Sequence, residues 1–153
     1  MGLVRHRSTA RVLLQADSGR FLLFLTHWHP TSGLEPRWVS PGGGIEANEP
    51  IALAASRELA EETGLVIEPE ALGLSIARLS FRQDWQNGDY ETGEAEFFRF
   101  RVTEEFEPSK QLWTPEEHRD IIQHSWWLPS ELIASGESVG PPGLSDLLAG
   151  LVG

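Results

Sequence analysis

The 153-residue chain contains no cysteine, and its 12 lysine and arginine residues are outnumbered by 23 aspartates and glutamates. Without cysteine, neither a disulfide nor a thiolate metal site can form. The formal net charge of -11 argues against a duplex nucleic-acid partner, because binding a phosphate backbone requires a basic surface. The charge is compatible with a small phosphate-bearing substrate, since a divalent cation can bridge carboxylates to phosphates.

Long apolar runs are also missing from the chain. No stretch reaches the length of about 20 residues that a membrane-spanning helix requires, and the opening residues MGLVRHRSTA lack the apolar segment of a secretory signal. We therefore expect a cytoplasmic protein with no membrane partner. Hydrophobic residues still make up 40% of the chain, which is enough to bury a core, and we expect residues 1–153 to form a single domain.

Strand-forming and helix-forming segments alternate along the chain. Residues 7–15 and 21–28 are rich in β-forming residues, and a turn signal at 17–20 joins them, which predicts a hairpin. The other predicted elements are a loop at 29–36, a helix at 50–62, a strand at 71–81, a polar loop at 82–93, strands at 94–102 and 121–128, and short helices after Thr114, from Pro129 and over 143–152. This alternation predicts a mixed α/β fold.

The predicted helix at 50–62 has recognisable signals at both ends. Alanine and leucine dominate its sequence and no glycine interrupts it. Asn48 or Glu49 is suited to the N-cap, and Pro50 is suited to the first turn. Gly64 follows the last periodic residue, where a left-handed C-terminal cap is expected.

Three glutamates fall together near the end of this helix. On a helical wheel Glu58, Glu61 and Glu62 share an arc of about 100°, on the side away from the apolar residues. Each like-charge pair costs a few tenths of a kcal/mol, and a negative charge near a helix C-terminus costs about 0.3–1 kcal/mol more. Arg57 offsets part of this repulsion, and a bound Mg²⁺ would offset more. On spacing alone, such a run is more typical of a solvated surface.

Three consecutive glycines precede the helix in the stretch SPGGGIE, residues 40–46. Glycine permits positive φ angles and a close approach of the backbone to other groups. The N–H groups are suited to contact a phosphate, but the glycines are better explained as a tight turn into the helix. The lysine of a Walker A loop is missing here, which excludes a P-loop.

The glycines and the acidic helix together resemble the Nudix hydrolase family, which includes MutT-like proteins. The family's box is Gly, five residues, Glu, seven residues, Arg-Glu, an aliphatic residue, any residue, Glu-Glu, any residue, Gly and an aliphatic residue. Residues 43–65 match every fixed position of this box. The matching residues are Gly43, Glu49, Arg57, Glu58, Leu59, Glu61, Glu62, Gly64 and Leu65.

The resemblance implies an α/β/α sandwich around a mixed β-sheet, with a metal site on the helix. By this resemblance Glu58, Glu61 and Glu62 would ligate Mg²⁺ or Mn²⁺, and together with Arg57 they would form the catalytic group. Arg57 would orient one carboxylate through a charge-assisted hydrogen bond. Glu49 would either assist the metal or stabilise the loop.

The reaction that the resemblance implies is hydrolysis of a pyrophosphate bond in a nucleoside diphosphate linked to another moiety. A carboxylate would accept the proton of the attacking water. This base is left open between the box glutamates and four downstream glutamates: Glu94, Glu96, Glu116 and Glu117. The markers of the NADH, coenzyme A, ADP-ribose and dinucleoside-polyphosphate enzymes are missing, which favours a modified nucleoside triphosphate by elimination.

Substrate contacts outside the acidic helix are predicted from weaker signals. Gly43 would hold the turn and contact the substrate. We also predict substrate contacts from Trp85 and Arg82, which lie in the polar loop at 82–93. Trp126 and Trp127 are adjacent in a predicted strand, so we expect one to be buried and the other exposed.

Two other functional classes are compatible with parts of this pattern. The first is a catalytically silent Nudix-fold module that senses nucleotides or binds protein, and the complete box argues against it. The second is isopentenyl diphosphate isomerase chemistry on a related fold, which requires a cysteine that this chain lacks. Homodimers are frequent in the family, but no residue of this chain indicates an interface.

Overall fold

The segment at residues 9–16 is buried throughout and lies at the centre of a β-sheet. This is seen in a computed structural model that describes residues 2–151. Within these residues the strands are β1 (Leu3–Ala16), β2 (Phe21–Thr26), β3 (Arg37–Val39), β4 (Gly42–Gly44), β5 (Ala77–Asp84), β6 (Tyr90–Val102) and β7 (Ile121–Trp127). The helices are α1 (Ile51–Thr63), α2 (Pro115–Asp120), α3 (Pro129–Ser135) and α4 (Leu144–Ala149), with a 3-10 turn at Pro69–Leu72.

The strands form one mixed sheet. Its main order is β3-β2-β1-β6-β5, and β4 and β7 attach to β1 and β2. β1 and β6 run parallel over their whole length, and the other strand pairs are antiparallel. The predicted hairpin is confirmed, with Gln15 opposite Phe21. The parallel pairing of β1 and β6 makes the sheet mixed, as the sequence predicted.

Helices cover both faces of this sheet. On one face α1 packs Leu59 against Val12 and Phe98. On the other face Leu132 of α3 and Leu148 of α4 pack in a second apolar cluster. Because both faces are covered, β2 is an almost continuous apolar run (FLLFLT) and residues 9–16 of β1 are buried whichever face they point to. The predicted α/β/α sandwich is confirmed.

Trp126 and Trp127 point to opposite faces of β7, and each packs against one of the two apolar clusters. Both side chains are partly buried. The expectation that one of them is exposed is therefore wrong. It assumed a sheet with one solvated face, whereas α3 and α4 cover the face to which Trp127 belongs.

The edge hairpin of the sheet differs from its prediction. The strand expected at 71–81 begins only at Ala77, because Pro69 starts a 3-10 turn and Gly73, with φ +67°, interrupts the chain. The loop expected at 82–93 consists mostly of strand, since β5 continues to Asp84 and β6 starts at Tyr90. These strand ends are rich in polar residues although β5 forms the sheet edge and β6 is paired on both sides, and composition alone made them look like a loop.

The ends of α1 follow the prediction at one terminus only. Gly64 adopts φ +83° and caps the helix in the left-handed conformation, as predicted. At the other end Pro50 occupies the N-cap position, where the sequence suggested Asn48 or Glu49, and no side chain caps the helix. The three glycines differ as well, because they form β4, paired with β1, and not a turn.

The short helices are confirmed after Thr114 and from Pro129. The last predicted helix is found over Leu144–Ala149, while residue 152 of that prediction lies outside the described residues. Among the helices of residues 2–151, none combines the length and apolar character needed to cross a bilayer.

Candidate active site

A cleft with a volume of about 360 Å³ opens beside α1, with β4, β1, β3 and α2 around it. This volume lies in the range that is usual for small-molecule sites. One wall carries carboxylates from α1 and α2, and another carries arginines from β1 and β3. The charged residues that line the cleft are Glu58, Glu61, Glu62, Glu116, Glu117, Asp120, Arg5, Arg7, Arg11, Arg37 and Arg119.

Three of the carboxylates converge. Glu58, Glu62 and Glu117 each place a carboxylate oxygen within 4.8 Å of the other two. Glu58 and Glu62 lie one turn apart on α1, and Glu117 comes from the first turn of α2. Carboxylate oxygens are hard ligands of the kind that Mg²⁺ and Mn²⁺ prefer. The residues present therefore fit a divalent cation.

Glu62 is the most deeply buried member of this group, with 6% of its surface exposed. Its carboxylate accepts a hydrogen bond from the Gly42 N–H at 3.3 Å. The indole Nε1 of Trp113 donates to the Glu62 carbonyl oxygen at 2.8 Å and holds the backbone there. Burial raises the pKa of the Glu62 carboxyl well above its usual value, although the charge of Arg11 opposes this rise. A cation bound at Glu62 would replace the lost solvation of its carboxylate.

Glu58 is held by Arg57 through a hydrogen bond of 2.9 Å from Nη1 to Oε1. The same guanidinium donates from Nε and Nη2 to both oxygens of Glu49, at 2.8 and 2.9 Å. These bonds hold the pKa of Glu49 down at about 2. Burial and the nearby charge of Glu61 raise the pKa of Glu58. Glu49 thus fixes Arg57, and Arg57 orients Glu58, as the resemblance implied for one carboxylate.

Glu61, the third predicted metal ligand, lies in the same cleft but outside the group of three. Its carboxylate faces Arg57, with Nη1 at 3.4 Å, and its side chain is 36% exposed. The oxygen that complements Glu58 and Glu62 comes instead from Glu117. Metal ligation by Glu61 stays a prediction.

Glu117 is fixed by a capping box at the start of α2. Its backbone N–H donates to the Thr114 hydroxyl at 3.1 Å, and its Oε1 accepts from the Thr114 N–H at 2.9 Å. The sequence predicted this helix start and named Glu117 among four candidate bases. Its place beside Glu58 and Glu62 depends on how α2 packs, for which the local sequence gives no signal.

The glycines of β4 allow the backbone to pass between the charged groups. A Cβ at Gly43 would lie 2.5 Å from the carboxyl carbon of Glu58. A Cβ at Gly42 would lie 2.5 Å from both the Ala10 carbonyl oxygen and the Arg11 Cγ. Glycine is required here for close approach and not for a turn. Gly43 also lines the cleft, where the sequence predicted a substrate contact.

The arginine wall was missed at the sequence level. Arg5, Arg7 and Arg11 stand at odd positions of β1, and alternate residues of a strand face the same side of the sheet. This spacing is a signal that could have identified them. Arg37 joins them from β3, which pairs with β2 and not directly with β1. That contact is tertiary and leaves no trace in the local sequence.

Two predicted substrate-binding residues do not line this cleft as described within residues 2–151. Trp85 is 5% exposed and stacks on His29 with ring centroids 5.0 Å apart, so it holds the 27–36 loop against the edge hairpin. Arg82 lies over the Tyr90 ring at 3.8 Å and pairs with Asp84 at 3.0 Å. Substrate contact by Trp85 and Arg82 stays a prediction.

Of the four candidate bases outside the box, two line the cleft as described and two do not. Glu94 and Glu96 of β6 pair with Arg78 of β5, at 3.8 and 3.0 Å. They are not among the residues of 2–151 that line the cleft, whereas Glu116 and Glu117 are.

Comparison with known proteins agrees with this geometry. The NUDIX domain family matches residues 5–147. The chain therefore belongs to the Nudix family, whose box it carries at residues 43–65. No curated protein sequence matches the chain significantly.

Solved structures show the same fold at low identity. The chain is similar to a MutT NUDIX hydrolase from Burkholderia pseudomallei (20% identity, 97% of this chain and 98% of that chain covered, TM-score 0.66). It is also similar to the E. coli dihydroneopterin triphosphate pyrophosphohydrolase (18% identity, 95% and 94% covered, TM-score 0.68). A C. elegans Ap4A hydrolase matches with 15% identity, 93% coverage of both chains and a TM-score of 0.56.

Proposed function

We propose that this Nudix protein is a divalent-metal-dependent hydrolase that cleaves a pyrophosphate bond in a nucleoside diphosphate linked to another moiety. The convergence of Glu58, Glu62 and Glu117 within 4.8 Å is the observation that carries this proposal. Buried like charges at this spacing repel one another strongly, and a divalent cation removes that repulsion. The adjoining arginines are suited to hold phosphate oxygens by charge-assisted hydrogen bonds.

Each group in the cleft has a part in this reaction. Mg²⁺ or Mn²⁺ held by the three glutamates would polarise a phosphoryl oxygen and lower the pKa of a bound water. Arg57 keeps the Glu58 carboxylate turned toward its two neighbours. A water oxygen forms a bond to phosphorus, the bridging P–O bond breaks, and a carboxylate accepts the water proton. Glu61 and Glu116 line the cleft outside the group of three, and they are the candidates for that base.

The substrate is proposed to be a modified nucleoside triphosphate. The missing markers of other Nudix subfamilies favour this class by elimination. Similarity to the E. coli dihydroneopterin triphosphate pyrophosphohydrolase supports a triphosphate. Similarity to the Ap4A hydrolase is lower in both identity and TM-score, so we place dinucleoside polyphosphates second.

The test is release of phosphate or pyrophosphate from a nucleotide panel, with Mg²⁺ or Mn²⁺ and with EDTA. We expect Glu58→Gln and Glu62→Gln each to lower kcat/KM by at least about 100-fold, because each removes a charge from the cation site. Glu70→Gln is the matched control, since Glu70 is exposed on the 3-10 turn. Tight nucleotide binding without turnover across the panel would instead support the silent sensing module.

A further inference from the structure

A narrow pocket continues from the cleft toward the sheet. It shares Arg7, Arg11, Trp28 and Arg37 with the cleft, and Phe81 and Gly140 close its far side. We call this space the arginine pocket, after Arg7, Arg11 and Arg37. It is separate from the three converging glutamates, none of which lines it among the described residues.

Arg37 has a donor in this pocket that no group of residues 2–151 satisfies. The residue is 8% exposed, and its Nη1 donates to the carbonyl oxygens of Thr26 and His27 at 3.2 and 2.8 Å. Its Nε is buried and has no hydrogen-bond partner among the described residues. A Cβ at Gly140 would lie only 3.3 Å from this Nε, so glycine avoids crowding the guanidinium. A buried N–H without a partner is costly, and a ligand oxygen that reached it would offset this cost.

Arg7 and Arg11 make no ion pair among the described residues, although the nearby carboxylates of Glu58 and Glu62 act to raise the pKa of both guanidinium groups. The Arg7 guanidinium makes no hydrogen bond or ion pair with any residue from 2 to 151. Arg11 donates only to neutral acceptors, the Thr9 hydroxyl at 3.2 Å and the Ser40 carbonyl at 2.8 Å. Among residues 2–151, Glu91 is the one carboxylate that lines the pocket, and it pairs with Arg5 instead.

Burial and mutual repulsion make this arrangement unfavourable in the free protein. Burial, followed by the charge of Arg7, lowers the pKa of Arg11 to about 10. Burial, followed by the charge of Arg11, lowers the pKa of Arg37 to about 9. Both guanidinium groups remain cationic at neutral pH, so the pocket holds a concentrated positive charge in a chain whose net charge is -11. An anion in the pocket would remove this repulsion, just as a cation would among the glutamates.

A neutral aromatic group fits the pocket less well. The Arg37 guanidinium already stacks on Trp28, with its central carbon 3.8 Å from the ring centroid, so that ring face is occupied. A neutral base would also leave Arg7, Arg11 and Arg37 without an ion-pair partner among residues 2–151. Phosphate oxygens match guanidinium donors in charge and geometry.

We propose that the arginine pocket binds a further phosphate group of the substrate, beyond the two phosphates joined by the scissile bond. The inference rests on the proposed function, because it places the scissile pyrophosphate at the neighbouring glutamates. The extra phosphate has two sources with one chemistry. It is either the third phosphate of a nucleoside triphosphate or a phosphate carried by the second moiety of a nucleoside diphosphate derivative.

Binding without metal tests the pocket by itself. Inorganic tripolyphosphate is titrated calorimetrically into the full chain in EDTA. We expect Arg7→Gln to raise its Kd at least about tenfold and Arg7→Lys to restore Kd to within about threefold, because a cation is retained. Because Arg7 has no hydrogen-bond or ion-pair partner in the described part of the chain, its replacement should spare the fold. Arg101→Gln is the matched control, since Arg101 is 56% exposed and is not among the described residues that line the pocket.

Hydrolysis assays then distinguish between the two possible sources of the extra phosphate. We compare a nucleoside triphosphate, a nucleoside diphosphate linked to a neutral sugar, and the same compound with a phosphorylated sugar. We expect one of the two extra-phosphate substrates to exceed the neutral-sugar compound by at least about 30-fold in kcat/KM. Arg7→Gln should reduce that preference at least about tenfold, mainly through KM.

The outcomes distinguish this inference from the proposed function. Metal-dependent turnover with no preference for the extra phosphate, or an equal loss on all three substrates in Arg7→Gln, would overturn the inference and leave the proposed function standing. Absence of turnover on every nucleotide, with Arg7-dependent binding of tripolyphosphate, would reject the proposed function and retain the phosphate pocket. If Arg7→Gln does not change tripolyphosphate binding, the proposal that the arginine pocket binds phosphate is overturned.

Discussion

Gly43 lacks a side chain at the point where β4 meets the carboxylate of Glu58. A Cβ there would lie 2.5 Å from the Glu58 carboxyl carbon. Because the obstructed atoms end a flexible side chain, Glu58 would turn away and the backbone would stay in place. We expect Gly43→Ala to lower kcat/KM by at least about 100-fold. Since the fold is spared, the Tm should change by less than about 3 °C.

Gly44 provides the matched control for this substitution. A Cβ at Gly44 would meet no atom within 4 Å. Gly44→Ala should therefore alter kcat/KM less than about threefold. Steady-state kinetics and thermal unfolding of both variants test the claim. An active Gly43→Ala enzyme would show that Glu58 need not occupy its present position.

Glu49 contributes to stability through its two hydrogen bonds with Arg57. Its pKa is about 2 in the folded chain against 4.5 ordinarily, so the contribution is complete above about pH 4.5 and is lost as the pH falls toward 2. We expect Glu49→Gln to lower the free energy of unfolding by about 1–3 kcal/mol at pH 7. The difference from the unmodified chain should begin to shrink below about pH 4.5.

Urea unfolding at several pH values measures this difference. Glu46→Gln is the control, because Glu46 is exposed and only its backbone N–H contacts Glu49. If the free energies of unfolding of Glu49→Gln and the unmodified chain differ as much at pH 3 as at pH 7, the Glu49 charge does not contribute to stability.

Among the secondary-structure elements, α2 is short, and its capping box fixes the Glu117 carboxylate. The Thr114 hydroxyl accepts a hydrogen bond from the Glu117 N–H, and the Glu117 carboxylate accepts one from the backbone N–H of Thr114. We expect Thr114→Ala to cost about 1 kcal/mol of stability. The backbone N–H of residue 114 still donates to the Glu117 carboxylate in this variant, so Glu117 is loosened only through fraying of the first turn of α2, and affinity for Mn²⁺ should fall by about threefold to tenfold.

Calorimetric titration with Mn²⁺ measures this loss of affinity. Thr103→Ala is the control, since Thr103 is exposed and lies outside α2. Unchanged Mn²⁺ affinity in Thr114→Ala, together with faster hydrogen exchange in α2, would separate Glu117 from the metal site.

Elements with strong local signals could be predicted from the sequence, and elements fixed by tertiary contacts could not. The hairpin turn before Phe21, the Gly64 cap and the helix start at Thr114 depend on neighbouring residues and are confirmed. The polar ends of β5 and β6 were mistaken for a loop, because their stability comes from cross-strand pairing that local composition does not reveal.

In the candidate site, too, residues with a local sequence signal could be predicted and residues brought together by tertiary contacts could not. The spacing of the box residues predicted that Glu58 and Glu62 would share one face, since both lie on one helix. Glu117 and Arg37 come from other elements, and only the folded chain brings them to the cleft. Trp85 lies in a polar stretch of sequence, yet the loop at 27–36 covers it.

For the whole molecule, the distribution of charge matters more than its total. The net charge is -11, yet five of the 12 basic residues line one cleft, opposite converging carboxylates. A ligand that binds only the folded state stabilises it by about 2.7 kcal/mol at 100 times its Kd. We therefore expect Mg²⁺ at that concentration to raise the Tm by about 5–10 °C.

Thermal unfolding with Mg²⁺, at ionic strength matched with K⁺, measures this shift. Glu62→Gln should remove most of it, because a buried ligand loses its charge, whereas Glu70→Gln should keep it. An equal Mg²⁺ shift in Glu62→Gln would show that the ion binds elsewhere on the acidic surface.

Anomalous diffraction from crystals soaked in Mn²⁺ tests most directly whether the glutamates form a cation site. We expect an anomalous peak between Glu58, Glu62 and Glu117, with carboxylate oxygens about 2.0–2.3 Å from the ion. A map with no peak among these three side chains, while Mn²⁺ occupies other positions on the protein, would contradict the account.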